Sequence, residues 1–349
     1  MNFDFADESP KLFMLLWGLV AFVAVVGGLL LLLDMVPSWF ARRREAQLVA
    51  ASASGAPLPR RRKPREGLFA LFFLLPTALL LLVGLVVPAI RTTLLSFMDG
   101  GSQNWMGLAN YRWMFAEDAI VRVLLNTLAW VILVPLVATS VGLLYAVMVD
   151  RARFESLAKS LIFMPMAISF VGASIIWKFV YAYRGEEQDQ IGLLNQIVVS
   201  LGGEPQQWLL ESPLNTLLLI VIMVWIQAGF AMVVLSAAIK AIPADIVEAA
   251  RLDGVTPWQM FWQITMPSIR PALIVVVVTL SIATLKVFDI VRTATNGNYD
   301  TSVIANEMYN QAFRYGENGR GSALAVFLFV LVIPIVIYQI RNLRQQREG

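Results

Sequence analysis

Seven long apolar stretches dominate this sequence of 349 residues and constrain what it can fold into. A helix that crosses the hydrocarbon core of a bilayer needs about 20 consecutive, mostly apolar residues. The stretches that meet this requirement are Leu12–Leu33, Leu68–Ile90, Val123–Val149, Leu157–Tyr181, Leu214–Ala238, Pro271–Val291 and Ala323–Ile340. Because a helix satisfies its backbone hydrogen bonds within itself, the sequence predicts an all-α integral membrane protein with seven spans.

The composition supports a membrane protein and excludes several kinds of chemistry. Hydrophobic residues make up 58% of the chain and charged residues 15%, whereas soluble domains have about 45–50% and about 25%. The chain contains no Cys and no His, which excludes disulfides, thiolate or imidazole metal ligands and His-based catalysis. We therefore expect no catalytic residue and no metal site. The net charge of +3 is too small to indicate a nucleic-acid partner.

Lys and Arg are distributed unevenly between the two sides of the predicted membrane segment. The connections on one side, together with Lys159 just inside its helix end, carry 17 of them, and the connections on the other side carry 8. The cytoplasmic side of a membrane protein carries the excess of basic residues. The sequence therefore predicts an N-terminus outside and a C-terminus inside the cell.

Three regions follow from these spans. Residues 1–39 form an extra N-terminal transmembrane helix, which we expect to be retained because acidic residues precede it and no cleavage site follows. Residues 40–67 form a cytoplasmic linker with two clusters of basic residues. The linker is expected to lie on anionic lipid headgroups, and a dedicated binding motif is the alternative. Residues 68–349 form a core of six spans.

Charged residues within the spans are candidates for function because they are costly in lipid. Lys178 lies near an outer helix end, where its side chain can reach the interface. Lys286 and Asp289 are three residues apart, which predicts that they share a helix face. The two charges could neutralise each other on a buried face, or they could line the outer mouth of a translocation path.

Uncharged polar residues also occur at mid-helix depth. Gln227, Ser281 and Thr284 provide hydrogen-bonding groups, and Gln227 lies close in sequence to Trp225 and Phe230. An amide and hydroxyls beside aromatic rings suit a sugar, which has apolar ring faces and a rim of hydroxyls. The same residue types also hold transmembrane helices together, so both interpretations stay open.

The sequence bears on the energy source of transport. No Gly is followed by Lys, so the chain has no Walker A motif, and ATP would have to be bound by another subunit. Ion-coupled carriers usually place acidic residues or His inside the membrane. Such residues are almost absent from the middle of the predicted spans, which argues against proton coupling.

The loop at residues 242–267 predicts two short helices on the cytoplasmic side. Pro243 suits a first helical position and Asp245 places a negative charge in the first turn. Gly254 ends the first helix and Pro257 begins the second. Such a stiff protrusion suits mechanical coupling to a partner.

The same loop carries a resemblance to a known family. It contains Glu248-Ala249-Ala250, three residues, Gly254, nine residues, Ile264, two residues and Pro267. This spacing resembles the EAA loop of importer-type ABC transporter permeases. The flanking Gly229-Phe230, Ile242-Pro243, Asp253-Gly254 and Phe288-Asp289 are similar to the MalF-like carbohydrate permeases, with α-glucoside permeases the nearest in character. The resemblance covers residues 68–349 and departs from the family pattern at Met266 and at Thr295–Asn298.

The resemblance implies a subunit of a bacterial inner-membrane importer. Its expected partners are a second, MalG-like permease, two copies of a MalK-like ATPase and an external sugar-binding protein. ATP and magnesium would be bound by the ATPase, so no cofactor is expected on this chain and the chain is not itself an enzyme. The residues that would couple to the ATPase are Glu248, Ala249, Ala250, Asp253 and Gly254.

The resemblance also implies a sugar pocket on the spans that flank the loop. The matching positions are Met223, Ile226, Gln227, Phe230, Leu280, Ala283 and Thr284. A sugar, such as an α-glucoside or a related oligosaccharide, is the first expectation for the substrate. The alternatives are a polyol or an osmolyte glucoside carried by the same kind of permease, an ion-coupled secondary carrier, and a membrane scaffold.

Overall fold

The computed structural model describes residues 66–149, 154–185 and 188–348, together with residues 13, 14, 16–20, 22, 23, 26–28 and 38. The chain divides into two units, Met1–Pro88 and Ala89–Gly349. Ten of the 22 residues of the predicted first span, and nearly all of the predicted basic linker, lie outside the described residues. The predicted division into an extra helix, a linker and a core therefore stays a prediction.

The described residues are mostly helical and contain no β-strand. In the first unit, helix α1 spans Glu66–Leu81 and a π-helical segment follows at Leu82–Val86. The next helix, α2, is Val87–Leu95. The remaining helices, all in the second unit, are α3 Ala109–Ala116, α4 Asp118–Val149, α5 Glu155–Phe163, α6 Phe170–Val180, α7 Leu193–Ser200, α8 Leu214–Lys240, α9 Ala244–Leu252, α10 Met266–Leu285, α11 Asp289–Ala294, α12 Ile304–Tyr309 and α13 Asn318–Glu348.

Five helical stretches in the described part of the chain are long and apolar enough to cross a membrane. They are Leu74–Leu95, Asp118–Val149, Leu214–Lys240, Pro257–Leu285 and Asn318–Asn342. A sixth candidate is the pair Glu155–Ala167 and Phe170–Val180. Five of the six predicted core spans are thus confirmed as helices of spanning length, and the sixth differs in shape.

The predicted span Leu157–Tyr181 is not one continuous helix, because the chain bends by 101° between its two halves. Helix α5 passes into a 3₁₀ turn that contains Pro165. Proline has no backbone N–H to continue the helical ladder. Ser169 then starts α6, where its hydroxyl accepts a hydrogen bond from the backbone N–H of Gly172 at 3.1 Å. A proline and a good N-cap four residues apart thus separate the two helices.

The predicted pairing of Lys286 and Asp289 on one helix face is also wrong. Helix α10 ends at Leu285, and Lys286 is no longer in a helical conformation (φ −97°, ψ 11°). Asp289 begins the next helix, α11. Both side chains are exposed. A break in the helix removes the geometric basis for a shared face.

Close packing of α4 against α8 forms the centre of the second unit. A Cβ atom added at Gly142 of α4 would lie 2.5 Å from the Cβ of Ala231 on α8. A Cβ at Gly229 would lie 2.7 Å from the backbone carbonyl of Ile162, so α5 also approaches α8 at backbone distance. Small residues permit this closeness between membrane helices. The buried cluster around the contact consists of Ala138, Ala146, Ala231, Met232, Leu235, Val276 and Leu280.

Candidate functional site

The loop between α8 and α10 contains the short helix α9, which begins one residue after the predicted Pro243. Its C-terminus has the hydrogen bonds of a Schellman motif: the N–H of Val255 donates to Ala250 O at 3.2 Å, and the N–H of Gly254 donates to Arg251 O at 3.1 Å. Gly254 has φ +76°, a conformation that glycine adopts without strain. The predicted helix stop is confirmed.

The second half of the loop is equally well defined. Thr256 and Gln259 form a capping box, in which the Thr256 hydroxyl accepts from the Gln259 N–H at 3.4 Å and the Gln259 Oε1 accepts from the Thr256 N–H at 2.9 Å. Pro257 occupies the first helical position, as predicted. A π-helical segment, Met260–Thr265, then leads directly into α10. The loop is therefore linked to a spanning helix without a break.

The exposed face of α9 differs in two respects from the predicted coupling residues, at Ala250 and at Leu252. Glu248, Ala249, Asp253 and Gly254 are exposed, whereas Ala250 is only 7% exposed. Ala250 thus holds α9 against its own chain instead of offering a contact surface.

Leu252 is a residue of this face that sequence reasoning missed. Its side chain is 89% exposed, and it follows Glu248 by four residues and Ala249 by three. The helical repeat therefore places it beside them. The signal was present in the sequence as an apolar residue on the polar, exposed side of a short helix. A single exposed apolar residue is common on protein surfaces, so it is the position of Leu252 beside Glu248 and Ala249 that makes it a candidate contact.

An ionic cluster supports the loop where α5 meets α8. The Glu155 carboxylate accepts hydrogen bonds from Lys159 at 2.8 Å and from Lys240, and Lys159 also donates to the hydroxyl of Ser236. Lys240 is the last residue of α8, four residues before α9 begins. The cluster therefore ties the start of the bent span to the stem of the loop.

We predict that Glu155→Gln loosens this junction. The two lysines would lose their charged acceptor, so the thermal midpoint of the purified protein should fall slightly at low ionic strength. The difference from the unaltered protein should shrink at high ionic strength, because salt screens partly exposed ion pairs. Glu204→Gln, at an exposed carboxylate outside the cluster, is the control, and an equal decrease in that variant would contradict the assignment.

The predicted sugar-contact residues divide into two groups by burial. Met223, Ile226, Leu280 and Thr284 are buried within the chain. The Thr284 hydroxyl donates to the carbonyl of Leu280 in its own helix at 2.7 Å. In this conformation these side chains face the protein core.

Gln227, Phe230 and Ala283 are half-buried, and a solute could reach them more easily. Within the part of the chain that the structure describes, the Gln227 amide has no hydrogen-bond partner. A half-buried amide in the middle of a spanning helix therefore keeps its donors and acceptor available.

A cavity lies beside the bend of the broken span and was not anticipated from the sequence. Its volume is about 440 Å³ and it is lined by residues of α4, α5, α6 and α8, including Tyr145, Trp177 and Trp225. The rings of Trp177 and Trp225 meet edge to face with centroids 5.8 Å apart. Tyr145, Trp177 and Trp225 are far apart in sequence, so only the fold brings them together.

These features define a helical membrane protein with an exposed helical loop that leads directly into a spanning helix. Residues 138–348 match the family described as the binding-protein-dependent transport system inner membrane component, and the chain belongs to this family. The protein is thus an ABC importer permease, as the EAA-type spacing predicted.

Similar proteins include the osmoprotective compounds uptake permease protein GgtC of Synechocystis sp., which is 51% identical over 79% of this chain and 99% of its own length. The alpha-glucoside transport system permease protein AglF of Rhizobium meliloti is 48% identical over 79% of this chain and 83% of its own length. A crystal structure of a bacterial ABC transporter involved in import of the acidic polysaccharide alginate shares the fold, with a TM-score of 0.70 and 24% identity over 80% of this chain and 96% of that chain.

Proposed function

We propose that this chain is the MalF-like permease subunit of an ATP-driven importer for a neutral glycoside, with an α-glucoside or a related oligosaccharide as the first candidate. The observation that supports this most strongly is the 48% identity to an alpha-glucoside permease. The 51% identity to an osmoprotectant permease makes an osmolyte glucoside the second candidate.

Coupling to ATP is proposed to pass through α9. Glu248, Ala249 and Leu252 would seat in a cleft of a MalK-like ATPase subunit, with Asp253 and Gly254 at the edge of the contact. Closure of two ATPase subunits around ATP would draw this helix towards its counterpart on a MalG-like permease. Because α9 is held by a Schellman motif and followed by an unbroken path into α10, its displacement would move a spanning helix.

The proposed topology places α9 in the cytoplasm and the connection after α10 outside. The excess of Lys and Arg on one side supports this orientation. An external binding protein would then deliver the glycoside to the outer ends of the spans, and the basic linker would lie on lipid at the inner surface.

Solute recognition within the spans is proposed to centre on Gln227, with Phe230 and Ala283 beside it. Gln227→Ala should lower glycoside uptake about tenfold, because a sugar hydroxyl would lose an amide partner in a dehydrated site. The measurement is uptake of labelled glycoside into proteoliposomes, with subunit assembly checked by size-exclusion chromatography. Loss of assembly instead would assign Gln227 to helix packing. Val233→Ala, at an exposed position of the same helix, is the control.

The proposal as a whole is tested by reconstituting the purified transporter with its binding protein. Uptake of labelled maltose, trehalose or sucrose should require ATP and the ATPase subunits. Uptake by this chain and its partner permease alone, driven by an ion gradient, would instead establish a secondary carrier. ATP-dependent uptake of an unrelated solute with no glycoside uptake would overturn the substrate class.

A further inference from the structure

A strained turn connects α11 to α12 at residues 296–300. Asn296, Tyr299 and Asp300 have φ values of 58°, 57° and 61°, and Gly297 has φ 79°. Non-glycine residues rarely adopt this left-handed conformation, and Tyr is less suited to it than Asn or Asp. Such strain persists only where the surroundings hold the backbone in place, and it is often found at functional sites.

Side chains from two spanning helices hold this turn. The Asn126 amide of α4 donates to the backbone carbonyl of Asp300 at 2.5 Å and to that of Ser302 at 3.0 Å. The Asn215 amide, at the start of α8, donates to the carbonyl of Tyr299 at 2.7 Å. The fold thus fixes the backbone and leaves the Tyr299 and Asp300 side chains half-exposed, at 53% and 51%.

A polar cavity of about 330 Å³ lies over the turn. This volume is at the lower end of the range for small-molecule sites. The hydrogen-bonding side chains that line it are those of Arg122, Asn126, Tyr299, Asp300, Ser302, Glu307 and Tyr315.

The turn packs closely against the side chains beneath it at Gly297, which lines the cavity. A Cβ added at Gly297 would lie 2.2 Å from the Asn306 side-chain nitrogen. Asn306 is completely buried and donates to the Ser302 hydroxyl at 3.0 Å, while its Oδ1 has no partner among the described residues. Because Gly297 has no side chain, the backbone of the turn can pack directly against the buried amide of Asn306.

The charges in the cavity favour a neutral ligand. Arg122 pairs with Asp300 at 2.9 Å, and the Glu307 carboxylate accepts from the Gln311 amide at 2.7 Å. The Arg314 guanidinium lies over the ring of Tyr315, 5.7 Å from its centroid. Two guanidiniums therefore balance the two carboxylates at the cavity, so net charge favours neither an anion nor a cation. No group of three or more acidic side chains suited to a metal occurs among the described residues. The carboxylates and the Arg122 guanidinium can bond adjacent hydroxyls, whereas the Asn126 amide, whose N–H groups bond the turn, offers only its oxygen. The two tyrosine rings can cover the apolar face of a sugar.

We propose that this cavity is a second, external glycoside-binding site, separate from the site within the spans. The assignment of the external side rests on the proposed function. The site would hold a neutral glycoside at the outer mouth after its release from the binding protein, with Asp300 and Arg122 bonding hydroxyls and Tyr315 covering a ring face. It would thus add a selection step before the solute enters the bundle.

The test measures glycoside binding to the whole transporter in nanodiscs without the external binding protein. Maltose, trehalose and sucrose are titrated by saturation-transfer difference NMR on the Gln227→Ala background, so that the site within the spans is weakened. Asp300→Asn keeps the shape and tolerates the left-handed backbone, and Tyr315→Ala removes one ring. Each should weaken binding about tenfold, the effect of losing one good polar or stacking partner. Phe313→Ala, at a 76% exposed aromatic residue that does not line the cavity, should leave it unchanged.

Three outcomes would overturn the external site. The first is absence of glycoside binding on the Gln227→Ala background, and the second is equal affinity in all variants. The third is weaker capture of the external binding protein by Asp300→Asn and Tyr315→Ala with unchanged glycoside affinity, which would make the turn a protein-docking surface. ATP-dependent uptake by the unaltered transporter separates the two proposals: if uptake is present and external binding is absent, only the site fails, and if uptake is absent the proposed function fails.

Discussion

Charge reversal at Glu248 is expected to weaken retention of the ATPase subunits about 30-fold or more and to abolish ATP-dependent uptake. Glu248 is exposed on α9, and the helix places it beside the 89% exposed Leu252. A lysine there would put a like charge against any basic group that receives the carboxylate, and breaking a desolvated charge contact at an interface has effects of this size. The measurement is the fraction of ATPase that stays with the permeases through purification, together with uptake in proteoliposomes.

The controls separate docking from folding. Glu204→Lys makes the same chemical change at an exposed residue on the opposite side of the predicted membrane and should leave retention intact. Leu252→Ala should weaken retention through lost apolar contact and should show little dependence on salt, whereas the Glu248 effect should vary with ionic strength. Normal retention of the ATPase by Glu248→Lys would contradict the docking role of α9.

The sequence predicts the helical spans well because hydrophobic length is a local property. The five spans Leu74–Leu95, Asp118–Val149, Leu214–Lys240, Pro257–Leu285 and Asn318–Asn342 each overlap a predicted stretch. The loop helix α9 was equally predictable, since Pro243, Asp245 and Gly254 are local start and stop signals. What these signals share is that a few neighbouring residues determine them.

The differences arise where the local pattern is ambiguous. Hydropathy continues across the bend near Ser169, so a count of apolar residues cannot detect it, although Pro165 and the cap at Ser169 were visible in the sequence. Lys286 and Asp289 were placed on one face because the end of α10 at Leu285 carries no Gly or Pro.

The candidate sites were harder to predict than the spans. The direction in which Ala250 faces depends on the packing of α9 against its own chain, which no spacing rule supplies. The aromatic cavity and the polar cavity over residues 296–300 each combine residues from distant parts of the chain. In the second of these, Asn126 and Asn215 fix a backbone more than 80 residues away. Such tertiary coupling determines backbone strain, and composition does not reveal it.

Substitution of Gly142 by Leu is expected to produce a large loss of stability. An added Cβ at this position would lie 2.5 Å from the Cβ of Ala231 and 2.8 Å from the backbone nitrogen of Met232. Because the second neighbour is backbone, a side-chain rotation cannot relieve the clash, and α4 would have to move away from α8. Overpacking of this kind costs about 3 kcal/mol. That amount is a large fraction of the stability of a domain, which is about 5–15 kcal/mol.

The measurement is the yield of monodisperse protein after detergent extraction and its thermal midpoint, compared with Gly142→Ala and Gly84→Leu. Gly142→Ala should fall between the unaltered protein and Gly142→Leu, because a methyl group meets the same atoms with a smaller volume. At Gly84, in another span, an added Cβ would meet nothing within 4 Å, so Gly84→Leu should extract normally. If Gly142→Leu matched Gly84→Leu in both readouts, α4 and α8 would not be in backbone contact in the folded protein, and the packing at the centre of the second unit would have to be revised.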